Sequence, residues 1–303
     1  MNGPNAPWRP AQAQALEYAW GEYRVWAATS RLKKAEIFSW KFWVLVLSVA
    51  GAVLATLSKQ LAGCSDLASW AIGIVGGGLV ALATYFGREI LSPVEERIWI
   101  RARSIAETLK AEIFLFRAGA KPYDGQDPGP KLMEQVKKQL GSVTNIQSVT
   151  LSPEERRKGI PEGPLSVERY IKERLDDQIE GFYRPRVQQY DRLMKQWRNV
   201  NLFLGATATV LGVLGKWTGG WVAVITTIIT SVAAYLYANR YQYLIISYQA
   251  TARQLEALKY EWGVMGSPEH DPEKRNQFLK DCEEAISIEN SAWMAKWLEK
   301  PKS

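Results

Sequence analysis

The chain has 303 residues, a formal net charge of +7 and 47% hydrophobic residues. The apolar residues are concentrated in four blocks without a charged residue, a segregation typical of membrane proteins. Basic residues flank these blocks, where they would meet anionic lipid head groups, and we recognise no nucleic-acid-binding motif among them. We therefore expect the basic surface to bind a lipid bilayer and not a nucleic acid.

Four segments are long enough to cross a bilayer as helices, which takes about 20 apolar residues and at least about 17. They are residues 42–58, 67–87, 199–215 and 217–239. Only a helix satisfies its own backbone hydrogen bonds within lipid, so each segment predicts a transmembrane helix. The alternative, buried core helices of a soluble protein, is disfavoured because one chain holds four such segments.

The distribution of Lys and Arg predicts the orientation, because cytosolic flanks of transmembrane helices are enriched in both. Basic residues cluster outside both pairs of spans, whereas the short turns within the pairs hold only Lys59, Asp66 and Lys216. Both termini and the central segment are therefore expected in the cytosol. The predicted fold is an all-α integral membrane protein with two tandem two-helix transmembrane hairpins and long cytosolic helical extensions.

Amphipathic helices are predicted outside the spans. Apolar residues recur at steps of three and four over 98–116, 171–197, with one irregular step at Pro185, and 241–262, and a final amphipathic helix is predicted over 276–297. Each apolar stripe needs a packing partner, either within the chain or in another subunit.

Residues 120–165 are dense in Pro and Gly and predict a cytosolic linker with one short helix over 131–140. A weak internal repeat aligns the two halves of the chain, for example Lys59 with Lys216. We therefore predict two transmembrane hairpin domains with flanking cytosolic helices, over residues 1–119 and 166–303.

The first helices of the two hairpins share a stripe of small or polar residues, for which two interpretations remain open. Small side chains let helices pack closely, as Gly73 and Gly77 on the second span would also do. Alternatively, the stripe lines a pore with a lysine at its outer mouth, which would favour anions. The candidate pore-lining residues are Ser48, Ala52, Ala55, Lys59, Asn201, Gly205, Thr209, Gly212 and Lys216.

A competing polar face lies on the fourth span. It consists of Thr226, Thr227, Thr230 and Ser231. Hydroxyl groups of this kind often bond to their own helix backbone, which favours a structural role for them.

The sequence offers no credible catalytic or metal centre. His270 is the only histidine, and Cys64 and Cys282 lie far apart without neighbouring ligands. We therefore predict no enzyme, no catalytic residue, no metal and no cofactor.

The opening of the second half, residues 165–183, resembles that of the SLATT proteins, the SMODS- and SLOG-associating two-transmembrane effectors. The family pattern of a Tyr, an Arg, an Asp-Gln pair and an aromatic pair corresponds here to Tyr170, Arg174, Asp177, Gln178, Phe182 and Tyr183. Phe182 stands where the family usually has Trp. The first half looks like a second member of the same superfamily, so the chain resembles the tandem form.

This resemblance implies a bacterial inner-membrane effector that opens a pore and disrupts the membrane in nucleotide-activated anti-phage conflict systems. A homo-oligomer is expected, because four short spans are too few to enclose a pore. We recognise no sensor or nucleotide synthase in the sequence, so the trigger is expected to be a cytosolic sensor protein or a nucleotide ligand. The alternative function is a non-conducting membrane scaffold or anchor that binds a cytosolic partner through its helices.

Overall fold

The computed structural model describes residues 8–63, 65–89, 93–215 and 218–298, and the regular elements within these ranges are helices. In chain order they are α1 (Pro10–Leu61), α2 (Asp66–Glu89), α3 (Pro93–Arg117), α4 (Pro128–Gly141), α5 (Pro153–Arg157), α6 (Val167–Tyr170), a π-helix (Ile171–Tyr183), α7 (Arg184–Val213), α8 (Gly219–Ala238), α9 (Tyr241–Val264) and α10 (Pro272–Leu298). The predicted all-helical class is confirmed. Two residues of the sequence analysis, Cys64 and Lys216, lie outside the described residues.

Three stretches among the described residues are long and apolar enough to cross a membrane. They are Pro10–Leu61, Asp66–Glu89 and Gly219–Val264. The first two contain the first and second predicted spans, and the third contains the fourth predicted span from Gly219 onwards. The third predicted span, 199–215, is helical through Val213 but does not belong to this set. Its helix carries Asn199 and Asn201 at the start of an already short apolar stretch, which lowers its mean hydropathy.

The chain forms two compact units, and each combines segments from both halves of the sequence. The polar unit comprises Met1–Lys34, Glu96–Val187 and Ile246–Ser303. The apolar unit comprises Ala35–Glu95 and Gln188–Ile245. The division of the sequence into domains 1–119 and 166–303 around a linker 120–165 stays a prediction.

The polar unit has an apolar core to which the predicted helical stripes contribute. On α3, Ala102, Leu109 and Ile113 are completely buried, and they pack with residues of α1 such as Leu16 and Ala19. On α9, and on α10 as far as Ile286, the predicted stripes are likewise largely buried, with Leu255, Leu279 and Cys282 at 0% exposure. The stripes of three and four residues thus predicted the buried faces correctly.

The predicted linker is an ordered part of this core. Its short helix is α4, whose Leu132 and Val136 are completely buried, and Tyr123 and Val143 belong to the same cluster. The Pro- and Gly-rich composition correctly predicted turns around α4. It did not predict that the segment packs against α1 and α3.

The segment that leads into α7 is wound as a π-helix over Ile171–Tyr183. At its end, the backbone N–H of Arg184 donates to the carbonyl of Ile179, five residues earlier. Leu175 and Ile179 are buried as predicted, but the polar side chains of Arg174 and Gln178 are buried as well. Pro185 follows the π-helix within one continuous helical stretch, and the chain stays helical there.

Candidate functional site

Within the apolar unit, α1 and α2 approach each other closely at two glycines. A Cβ atom at Gly51 would lie 2.6 Å from Val80 Cγ2 and 2.9 Å from the Gly76 carbonyl oxygen. A Cβ atom at Gly76 would lie 3.1 Å from the backbone nitrogen of Ala55. Small residues at such positions allow the backbones of membrane helices to pack together. The first hairpin is therefore held by direct helix–helix contact.

Two serines join the same helices near the turn between them. Ser58 Oγ donates to the Ser69 carbonyl at 2.6 Å, and Ser69 Oγ donates to the Ser58 carbonyl at 2.8 Å. A Cβ atom at Gly73 would lie 2.9 Å from Ser58 Oγ, whereas one at Gly77 would meet no neighbouring heavy atom within 4 Å. The packing pair on α2 is therefore Gly73 with Gly76. Close packing at Gly77 is not found among the described residues and stays a prediction.

The pore-lining candidates on α1 do not share one environment. Ser48 and Ala52 are half-buried, and the Ser48 hydroxyl donates to the Val44 carbonyl of its own helix at 2.8 Å. Ala55 and Lys59 are exposed. The α1 stripe thus contributes partly to helix packing and partly to the outer surface of the unit.

The candidates on α7 lie on a helix that packs loosely. Asn201 and Gly205 are half-buried, whereas Thr209 and Gly212 are exposed. A Cβ atom at Gly205 or Gly212 would meet no neighbouring heavy atom within 4 Å. Within α7, which is described in full, Tyr190 is the buried residue. The predicted close packing of this glycine stripe is therefore not found within a single chain.

The competing hydroxyl face on α8 is largely satisfied by its own helix. Thr226 and Thr227 donate to the carbonyls of Val222 and Ala223, each at 2.9 Å, and Thr230 donates to the Thr226 carbonyl. This is the backbone bonding expected for these residues. Ser231 is half-buried on the same helix.

In the polar unit, the first two residues of the family-like motif meet one glutamate. Arg174 donates from Nε and Nη2 to the two carboxylate oxygens of Glu283, at 3.0 and 2.7 Å. The Tyr170 hydroxyl donates to the same carboxylate at 2.9 Å. Arg174 and Glu283 have side-chain exposures of 0% and 6%, so this charge pair is shielded from water.

Burial and charge both act on this pair. Burial alone would lower the pKa of the Arg174 guanidinium, but the Glu283 carboxylate raises that pKa above its ordinary value. Burial, reinforced by the same carboxylate, raises the pKa of Tyr170. Arg174 therefore stays charged and Tyr170 stays protonated, which keeps Glu283 hydrogen-bonded from two sides.

The remaining motif residues line a small cavity of about 250 Å³ in the polar unit. Asp177, Gln178, Phe182 and Tyr183 form one side of it, and Arg103, Glu107 and Lys110 of α3 form another. Burial, together with the nearby Arg174 guanidinium, lowers the pKa of the Lys110 ammonium. The motif thus divides into residues that bind Glu283 and residues that face this cavity.

Sequence reasoning missed Arg117, which organises the segment before α6. The buried Arg117 donates from Nε to the Gly163 carbonyl at 3.1 Å, from Nη2 to the Glu162 carbonyl at 2.9 Å and from Nη1 to Glu173 at 3.0 Å. Its own carbonyl accepts the Leu165 N–H at 2.8 Å. No local pattern marks this arginine, because its partners lie at least 45 residues away in sequence.

The comparisons with known families agree with the position of the motif. Residues 170–293 match the model of the SMODS and SLOG-associating 2TM effector domain 1, and the match begins at Tyr170. The chain contains a SLATT domain. Its SLATT domain includes the Arg174–Glu283 pair, and its description implies a two-transmembrane effector associated with SMODS and SLOG conflict systems. Together with the candidate spans, this indicates a membrane protein.

Residues 24–130 match a second family, described as a protein of unknown function (DUF4231). The SLATT resemblance is thus confirmed for the second half, while a SLATT-like origin of the first half stays a prediction. Neither family description names a catalytic activity. No curated protein and no solved structure matches the chain.

Proposed function

We propose that the protein is a bacterial inner-membrane effector that assembles into a homo-oligomeric pore and disrupts the membrane in a SMODS- or SLOG-associated conflict system. The observation that carries this proposal is the lack of close packing around α7. From Gln188 onwards this helix lies in the apolar unit and carries polar side chains, yet its glycine stripe has no packing partner among the described residues.

The family match supports a transmembrane position for α7. The matched SLATT domain is described as having two transmembrane segments, and the Gly219–Val264 candidate supplies one of them. Within residues 170–293, α7 is the other long helix of the apolar unit. With α7 crossing the bilayer, the protein has four spans and both termini in the cytosol.

A membrane-spanning α7 would place polar groups where lipid cannot satisfy them. Thr209 is exposed, although its hydroxyl donates to the Gly205 carbonyl of its own helix at 3.0 Å, and the side-chain oxygen of Asn201 has no hydrogen bond in the described part of the chain. Leaving a group such as the Asn201 oxygen unsatisfied costs about 1–3 kcal/mol, and polar residues within membranes generally face protein or water-filled space. Packing of α7 between copies of the chain, around a water-filled lumen, would keep both residues out of lipid.

In this assembly, the predicted pore-lining residues of α7 would face the lumen or the contact between copies. They are Asn201, Gly205, Thr209 and Gly212. The exposed Lys59 and the sequence-matched Lys216 would lie at the outer mouth of the lumen and favour anions. A cytosolic sensor protein or a nucleotide ligand, bound by the polar unit, would trigger opening.

Ion flux through the purified protein in liposomes tests this function. We expect conductance, and we expect Asn201→Leu, which removes the side chain whose oxygen has no hydrogen bond among the described residues, to reduce it. Thr226→Val with Thr230→Val is the matched control, because these hydroxyls bond to their own helix, and it should leave the conductance unchanged. Absence of conductance in every oligomeric state would instead favour the non-conducting scaffold, and an effect confined to the α8 variant would move the lumen to α8.

The anion preference is tested separately by charge reversal. Lys59→Glu with Lys216→Glu should shift the reversal potential measured in a salt gradient towards cation selectivity. An unaltered reversal potential would refute the role of the lysines while leaving the pore itself in place.

A further inference from the structure

A cavity of about 960 Å³ lies in the polar unit, separate from the motif cavity. It is formed by the start of α1, the turns after α3 and before α6, and the segment that leads into α10. Its volume is at the upper end of the range of about 300–1,000 Å³ found for small-molecule sites.

Hydrogen bonds between distant segments hold the walls of this cavity in place. Arg117 binds the carbonyls of Glu162 and Gly163 on one side. On another side, the Lys121 backbone N–H donates to Asn276 Oδ1 at 3.2 Å, and the Tyr123 hydroxyl donates to Glu112 at 2.5 Å. The cavity is therefore formed before any ligand enters, which reduces the entropy lost on binding.

Arg275 is the group in this cavity that lacks an acceptor. Its Nε is buried and donates no hydrogen bond within the described residues. Native proteins rarely leave a buried charged donor unpaired, because hydrogen bonds to charged groups are among the strongest. An acceptor from outside the described chain would complete this group.

The remaining charges of the lining are close to balanced. Arg9 and Asp124 are both exposed, and Arg117 is bound to Glu173 and to two backbone carbonyls. Glu269 keeps its negative charge while it accepts the backbone N–H of Glu168 at 3.2 Å, and among the described residues its carboxylate forms no ion pair with Arg275. The buried, unpaired Nε of Arg275, and not the net charge of the lining, is therefore what favours an anion as the acceptor.

We infer that this cavity binds a small-molecule oxyanion, a phosphate or a carboxylate, through the Arg275 guanidinium. The planar guanidinium presents paired N–H donors that match the two oxygens of either group. The inference goes beyond the proposed pore and does not depend on it, because binding to the detergent-purified protein requires no conduction.

Binding of sodium phosphate and of sodium acetate, each compared with sodium chloride at equal ionic strength, tests the inference. We expect one of the two probes to give a saturable heat in calorimetry and to slow hydrogen exchange in the peptide that contains Arg275. Phosphate and acetate together distinguish the two oxyanion classes. Arg275→Met should weaken binding by roughly tenfold or more, since a charge-assisted hydrogen bond is lost.

Arg253→Met is the matched control, because Arg253 is an exposed arginine of α9 in the same unit and does not line the cavity. Its affinity for the probe should equal that of the wild type. The affinity of Arg275→Lys should lie between those of the wild type and Arg275→Met, because lysine keeps the positive charge but lacks the paired N–H donors of the guanidinium. Equal weakening by Arg275→Met and Arg253→Met would overturn the inference. If Arg275→Met does not fold, unchanged hydrogen exchange at Arg275 in the wild-type protein with both probes would overturn it as well.

Discussion

Polar side chains bind different kinds of partner in the two units. In the polar unit, charged side chains bind partners that are far away in sequence, as in the Arg174–Glu283 pair and the Arg117–Glu162 contact. In the apolar unit, hydroxyl groups mostly bond to the carbonyl four residues earlier, as Thr56 does with Ala52 and Thr207 with Phe203. The polar unit is therefore held in register by side chains, and the apolar unit by the approach of its backbones.

This difference shows where each unit can gain further contacts. In the polar unit, the buried Arg174 and Arg117 are already bound to carboxylates, so a substitution of either residue acts on folding. In the apolar unit, the glycines of α1 and α2 are in contact, whereas Gly205 and Gly212 on α7 have open space around them. A face of that kind can accept a second copy without rearranging the chain, which is the basis of the proposed assembly.

The largest effect is expected for Arg174→Met, because among the described residues it leaves the buried Glu283 carboxylate with the Tyr170 hydroxyl as its remaining hydrogen-bond donor. Removing one member of a buried ion pair costs about 3–5 kcal/mol of unfolding free energy. Denaturant unfolding of the detergent-purified protein, followed by tryptophan fluorescence, measures the loss.

Two variants make this test specific. Arg174→Met combined with Glu283→Leu removes both charges and should recover most of the loss. Lys259→Met breaks the half-exposed Lys259–Asp176 pair in the same unit and should cost no more than about 1 kcal/mol. A loss for Lys259→Met equal to that for Arg174→Met would show that burial does not set the difference.

A smaller effect is expected for Gly51→Ala in the apolar unit. The new Cβ would have to displace Val80 and the Gly76 carbonyl, and overpacking of this kind costs about 1–3 kcal/mol. Gly78→Ala is the matched substitution on α2, where a Cβ atom would meet no heavy atom of the described residues within 4 Å, and it should not destabilise the protein. Unfolding in mixed detergent and dodecyl sulfate measures both, and equal losses would contradict the difference in packing.

The helices and buried stripes could be predicted because they depend on neighbours within a few residues. Ile105 and Leu109 repeat at helical spacing, and their burial follows from that spacing. The α7 span was the weaker prediction, because an apolar stretch that begins with Asn199 and Asn201 is ambiguous when only local composition is considered. Its role depends on what the helix packs against.

The polar contacts could be predicted only in part. The family-like motif singled out Tyr170 and Arg174, but nothing pointed to Glu283, which lies 109 residues beyond Arg174. The π-helix was also missed, because Leu175 and Ile179 have the same spacing in sequence whether the backbone winds as α or as π. These features depend on tertiary contacts, which residue spacing does not reveal.

The smallest effect is expected for the serine pair that joins α1 and α2. Ser58→Ala removes the hydroxyl that donates to the Ser69 carbonyl, and hydrogen bonds between membrane helices contribute on average about 0.6 kcal/mol. Ser48→Ala is the matched control on the same helix, because the Ser48 hydroxyl bonds only to the Val44 carbonyl of α1. The same unfolding assay should show a small loss for Ser58→Ala and almost none for Ser48→Ala. If both lose the same amount, the hydroxyl groups act through their own helices, and the glycine contacts alone hold the first hairpin together.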